Sequence, residues 1–187
     1  HGDMSVGANG IGIYTKDTSV NTKNYGDISS SSTGAIGIFA DHANVENFGD
    51  ITLGGKGSIG IYGNRQSNIV NHGVITTNGE DSSGIMLNIS STLDNQGTIN
   101  VSGNNGVGII APAGKITNYG TINFSNGASA TKVNSQYPLP SLVNAGIIKV
   151  NGHFDNTGMN ISLKPDLSTL QASTIAGVDF TMSSGSI

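Results

Sequence analysis

The chain of 187 residues contains no cysteine. No disulfide, zinc-thiolate site or thiol nucleophile can therefore operate in it, and the lack suits a chain that crosses an oxidising compartment unfolded. Charge is also scarce. Asp, Glu, Lys and Arg make up 11% of the residues, against about 25% in an average soluble domain. With 12 acidic and 8 basic side chains, a formal net charge of −4 and no run of Lys or Arg, the electrostatic footprint of a nucleic-acid binder is missing. No apolar stretch reaches the roughly 18 residues a membrane-spanning helix needs. Proline occurs only 4 times and glycine keeps no three-residue period, which excludes collagen. No charged segment followed by an apolar one opens the chain, so no signal peptide is visible. With His1 in first place instead of Met, a fragment or processed piece is expected.

Glycine and isoleucine are abundant: 28 Gly, and 22 Ile against 8 Leu. Branched side chains suit a pleated surface, whereas Leu suits helices. Disordered chains are charged and poor in such residues, so an ordered, all-β chain is expected.

Two motifs recur in step. N-x-G-x-I begins at Asn24, Asn47, Asn71, Asn95, Asn118 and Asn144, with steps of 23, 24, 24, 23 and 26 residues. An apolar-Gly-Ile-apolar motif runs through Ile11-Gly12-Ile13-Tyr14, Ile36-Gly37-Ile38-Phe39 and Ile59-Gly60-Ile61-Tyr62, with later copies around Gly84 and Gly108. From each repeat Asn to the next repeat Gly the distance is 13, four times running. From that Gly to the next Asn it is 12, 10, 11, 11 and 10, so the length variation sits after residues such as Tyr14, Phe39 and Tyr62. A connection that tolerates insertion is normally a surface loop.

Apolar residues alternate at period two, as in Ile11/Ile13, Ile59/Ile61 and Val107/Ile109, and Gly, Asn, Asp and Ser clusters separate the runs. No window shows the apolar stripe of an amphipathic helix. A tandem repeat of about 24 residues built from short strands predicts the coil of a parallel β-helix. Coils would stack at the strand spacing of about 4.8 Å. Ile28, Ile51, Ile75, Ile99, Ile122 and Ile148 would then line the core. The Asn column would form an amide ladder, and the Gly column would supply positive φ or close backbone approach. A leucine-rich horseshoe needs a Leu framework that is not here. Residues 1–150 form the repeat region. Segment 125–141 lacks the Gly-Ile pair and predicts an altered coil or protruding loop containing Tyr137, Pro138 and Pro140. Residues 151–187 read as a continuation, a cap or the start of a neighbouring region.

These repeats resemble the passenger regions of Gram-negative type V autotransporters, especially the fusobacterial and vacuolating-cytotoxin-like kind. Such passengers carry runs close to N-x-G-x-I-x-x-x-G-x-x-S-x-G-I-Y, and Asn47 to Tyr62 reads N-F-G-D-I-T-L-G-G-K-G-S-I-G-I-Y. The resemblance implies a right-handed β-helix stalk, secreted or displayed on the outer membrane of a Gram-negative bacterium. It also implies a tether through a C-terminal β-barrel that is not in this chain, and a role in adhesion to a protein or glycan on a host or bacterial cell.

Chemical motifs are weak beside this. Asp27 and Asp50 occupy the same motif position in adjacent coils, the one pair that could serve a carbohydrate-active β-helix of the lyase, hydrolase or phage-tailspike kind. That class is the alternative reading. Gly55-Lys56-Gly57-Ser58-Ile59-Gly60 matches G-x-G-x-x-G, but a β-run follows it where the dinucleotide mechanism needs a helix. Ser129-Ala130-Thr131-Lys132 matches S-x-x-K without its companion motifs, and His42, His72 and His153 are isolated. No catalytic residue, cofactor or metal is expected. The residue after each repeat Asn is Tyr25, Phe48, His72, Gln96, Tyr119 and Ala145. An outward, mostly aromatic column would either stabilise neighbouring coils or form a binding ridge. Tyr25, Phe48, Tyr119 and the loop residue Tyr137 are therefore the candidate partner-binding residues.

Overall fold

The computed structural model describes residues 2–88, 90–111 and 114–124, together with the backbone of strands Ser129–Lys132, Ser141–Asn144, Ile147–Val150 and Asn160–Leu163. Among these residues there is no helix, and the strands form two sheets of seven and eleven strands. Every strand pair is parallel and joins one repeat to the next. The chain is a parallel β-helix of 24-residue coils, as the period predicts.

Each coil has three faces. The first carries Ile28–Ser30, Ile51–Leu53, Val74–Thr77, Thr98–Val101 and Thr121–Phe124, in register Ile28↔Ile51↔Ile75↔Ile99↔Ile122. The second carries Ile59–Asn64, Ser83–Leu87 and Val107–Ile110, and the third Asn68–Asn71, Thr92–Asn95 and Lys115–Asn118. In the first two coils the second and third faces run as one strand each, Ile11–Asn24 and Ile36–Asn47. These strands bridge the two faces into the eleven-stranded sheet.

Three inward columns fill the core. Ile28, Ile51, Ile75 and Ile99 are fully buried on the first face, Ile38, Ile61, Ile85 and Ile109 on the second. Val45, Ile69, Leu93 and Ile116 close the third. Burying one such side chain contributes about 1.5–3 kcal/mol. The one polar member of the third column, Thr22, directs its hydroxyl to Thr15 at 2.7 Å inside its own coil.

The Asn ladder forms as expected. Each Nδ2 donates to the Oδ1 of the next coil: Asn24 to Asn47 at 2.8 Å, Asn47 to Asn71 at 3.0 Å, Asn71 to Asn95 at 2.9 Å and Asn95 to Asn118 at 2.7 Å. The same nitrogens also donate to the carbonyl two residues on, at Gly26, Gly49, Gly73 and Gly97. Buried amides are thereby satisfied within the stack. Of the two reasons offered for the repeat glycines, close approach is the one at work. A Cβ on Gly60 would collide with the Gly84 carbonyl oxygen, and one on Gly73 with that of Gly49.

The altered region keeps the pairing. Although Thr131-Lys132 replaces Gly-Ile, Ser129–Lys132 pairs with Val107–Ile110, and Ser141–Asn144 continues the third face. Asn160–Leu163 adds a further strand to that face. Residues 125–128 and 133–140, with Tyr137, lie outside the described residues, as does Ala145.

Candidate functional site

The Asn-x-Gly corner turns its middle residue outward, because the flanking Asn is committed to the ladder and the Gly lies beneath the preceding coil. Rings therefore stack along the axis. Tyr25 and Phe48 are 4.8 Å apart between centroids with planes at 6°, and Phe48 and His72 are 4.5 Å apart, also at 6°. Tyr25 is 50% exposed and Phe48 37%. Offset ring pairs of this kind add about 0.5–1.5 kcal/mol each. The next member, Gln96, hydrogen-bonds Asp94 at 3.3 Å, so the ring ladder stops at His72. Tyr119, 57% exposed, stands beyond the gap. The structure thus joins Tyr25 and Phe48, adds His72, and leaves Tyr119 separate.

Beside the ladder lies a small charged group. Glu46 accepts from Asn21 Nδ2 at 2.7 Å and pairs with Lys23 at 3.1 Å, while the Lys23 ammonium sits 6.0 Å from the Phe48 ring centre. The Asn21 bond first, then Lys23, holds the Glu46 carboxyl below the ordinary carboxylate range. The ridge is therefore aromatic at its crest, with a fixed ion pair on one flank.

The aspartate column is longer than the sequence suggested. Asp3 joins Asp27 and Asp50, because Gly2-Asp3-Met4 lies in register with Gly26-Asp27-Ile28 through the pairing Met4↔Ile28. Each carboxylate accepts the backbone N–H of the following coil: Asp3 from Asp27 at 3.1 Å, Asp27 from Asp50 at 2.9 Å, Asp50 from Val74 at 3.1 Å. One carboxylate oxygen of each is occupied in holding coils together. Among the described residues no three His, Cys, Asp or Glu side chains converge as a metal site would require.

The G-x-G-x-x-G match is a turn leading into Ile59–Asn64. Gly57 has φ 67° there, and Lys56 pairs with both Glu80 and Asp81 of the next coil at 3.2 Å. Asp81 first, then Glu80, raises the Lys56 pKa.

Sequence reasoning missed two features at the corner between the second and third faces. Ser67 and Ser91 are fully buried and form a second ladder, with Ser67 Oγ accepting the Ala43 N–H at 3.1 Å and Ser91 Oγ the Ser67 N–H at 3.2 Å. Next to it Arg65 grips Asp41 with both Nε, at 2.6 Å, and a terminal nitrogen. Asn64 supports the same carboxylate at 3.2 Å. The Arg65 bond is the first cause that lowers the Asp41 pKa. A 24-residue spacing of serines is the signal that could have revealed the first. Nothing periodic marks the second.

A family model described as BigA third pectate lyase-like domain matches residues 3–139. No curated protein and no solved structure matches the chain.

Proposed function

The chain belongs to the family of the BigA third pectate lyase-like domain, and from that membership we propose that it is a β-helix segment of a bacterial surface protein. On this reading it serves as an adhesive stalk in an autotransporter passenger, displayed at the outer membrane or secreted, and binds a protein or glycan on a host or bacterial cell. The observation that carries the reading is the exposed Tyr25–Phe48–His72 ladder on a rigid solenoid. Aromatic residues that are fixed by their neighbours lose little entropy on contact, which is why they are favoured at interface hot spots. Beads coated with the protein should adhere to cultured epithelial cells or to bacteria. The Tyr25→Ser/Phe48→Ser double variant should adhere several-fold less while keeping its β-type circular dichroism. Equal adhesion by a folded variant would reject the ridge.

A second reading, a carbohydrate-active β-helix, draws on the Asp3–Asp27–Asp50 column. We favour the non-enzymatic role because each of these carboxylates already accepts a backbone N–H from the next coil, an arrangement that suits holding coils better than moving protons. Release of reducing ends or unsaturated sugars from a panel of acidic polysaccharides, abolished by Asp27→Asn, would reverse that preference.

A further inference from the structure

The corner between the second and third faces is where the coils differ in length, and there the surface opens into a cavity of about 430 Å3 lined by Lys16, His42, Arg65 and Gln66. Consecutive coils contribute these residues, Lys16 from the first, His42 from the second, Arg65 and Gln66 from the third. Their backbone is unusual. His42, Arg65 and Gln66 have φ of 52°, 49° and 60°, and Asp17 beside them has 94°. Left-handed conformations are uncommon for residues other than glycine, and they gather where the surrounding structure holds side chains for a task.

We infer that this corner is a binding site for a carboxylated sugar of an acidic glycan, separate from the ring ladder and independent of its role. The charge comes first. Lys16 makes no ion pair among the described residues. Asp41, whose side chain is only 8% exposed, takes two of the Arg65 donors and leaves the other guanidinium N–H groups to the cavity. Asp41 thus acts as a clamp that fixes the fork of Arg65, the geometry suited to a ligand carboxylate. The other nearby acid, Asp17, accepts the Ser19 N–H of its own turn at 2.9 Å. Arg65 is already paired with Asp41, so Lys16 is the cation of this cavity left for an anion, and the remaining Arg65 donors supplement it.

The flank indicates a sugar over a bare anion. The outward column of the second face, Tyr14, Phe39 and Tyr62, runs up to this corner, with ring centroids 5.5 and 4.8 Å apart. Tyr14 is 55% exposed and stands two residues before Lys16 on the same strand, so both side chains project from the outer side of it while Thr15 between them is buried. The apolar face of a pyranose packs on such rings, while His42 and Gln66 offer hydrogen-bonding groups to its hydroxyls. The volume falls within the roughly 300–1,000 Å3 of small-molecule sites. A neutral sugar would leave Lys16 without an ion-pair partner, and an inorganic anion would make no use of the rings.

The experiment titrates the protein by calorimetry with 3′-sialyllactose and with a glucuronic-acid disaccharide, against lactose and inorganic phosphate. At least one carboxylated probe should bind about tenfold tighter than either control, the difference expected for one charge-assisted contact. Lys16→Gln and Tyr14→Ala should each weaken that binding about fivefold or more, and Lys56→Gln, which removes a cation at another corner, should leave it unchanged. The inference is overturned if neither acidic probe binds, if lactose or phosphate binds as well, if Lys16→Gln leaves binding as it was, or if Lys56→Gln removes it.

Discussion

The side-chain amide of Asn71 divides its two N–H bonds between two coils: Nδ2 reaches Oδ1 of Asn95 at 2.9 Å and the carbonyl of its own Gly73 at 3.1 Å. One residue type therefore closes the corner and fastens it to the next. Because Asn47 donates to the Oδ1 of Asn71, an interior member such as Asn71 cannot be removed without stranding groups on both sides.

Asn71→Ala should be among the more damaging conservative changes. It leaves an amide N–H of Asn47 and the Oδ1 of Asn95 short of a partner inside the protein, while the Gly73 carbonyl keeps only the Thr98 N–H at 3.1 Å. At about 1–3 kcal/mol per stranded buried group, a loss of roughly 3 kcal/mol or more is expected. Thermal denaturation should show Tm lower by about 6–12 °C, whereas Gln96→Ala on the exposed crest should change it by no more than about 2 °C. Equal melting of the two variants would refute the ladder's role.

Two glycines separate crowding from backbone conformation. Gly57 has open space where a methyl group would go but a φ of 67°, so Gly57→Ala should cost about 1–2 kcal/mol through backbone strain alone. In Gly73→Ala the new methyl would run into the Gly49 carbonyl oxygen, and the coils must part. That variant should lose more than about 3 kcal/mol, beyond ordinary overpacking. Urea denaturation of both variants checks the order, and a reversal would count against close stacking at the corner.

Thr77 occupies an inward position between Leu53 and Val101, with a fully buried side chain and no hydrogen-bond partner for Oγ1. Thr77→Val keeps the shape and removes the stranded hydroxyl. Stability should rise by about 1 kcal/mol, with Tm higher by about 2–4 °C. A lower Tm would mean that the hydroxyl is satisfied in solution.

Asp41 carries a pH signature. Its carboxyl is held below the ordinary value of 3.8, first by the Arg65 hydrogen bonds. A depressed folded-state pKa means that the stabilisation is complete above the unfolded value and is lost as pH falls through the folded one. Melting curves from about pH 6 down to about pH 2 should therefore fall more steeply in the parent than in Asp41→Asn, which should start lower at neutral pH. Parallel curves would show that the pair contributes nothing to folding.

The sequence made the periodic parts of this molecule legible and the aperiodic parts obscure, for a physical reason. A column in a solenoid must satisfy the same packing in every coil, so Ile28, Ile51, Ile75 and Ile99 repeat, and so do Asn24, Asn47, Asn71 and Asn95. Outward positions bear no such constraint. The ring column could be read as outward because aromatic residues recur there, yet its break at Gln96 decides which rings touch. The Arg65–Asp41 clamp depends on left-handed backbone at 65 and 66, which spacing does not reveal. Asp3 was hidden because Met4 stands where the other copies of the motif have Ile.

The one-coil reach of the pairing has a consequence for how the chain can assemble. Ile51 meets Ile28 and Ile75, Asn71 meets Asn47 and Asn95, and strand partners are about one period apart in sequence. The loop to be closed is thus nearly the same for each added coil, and so is the entropy of closing it. A finished coil offers a complete edge of backbone groups, an apolar shelf and an open amide to the segment that follows. Such a chain can grow like a crystal on a seed, with the first coil slow to form and each later one templated by its predecessor.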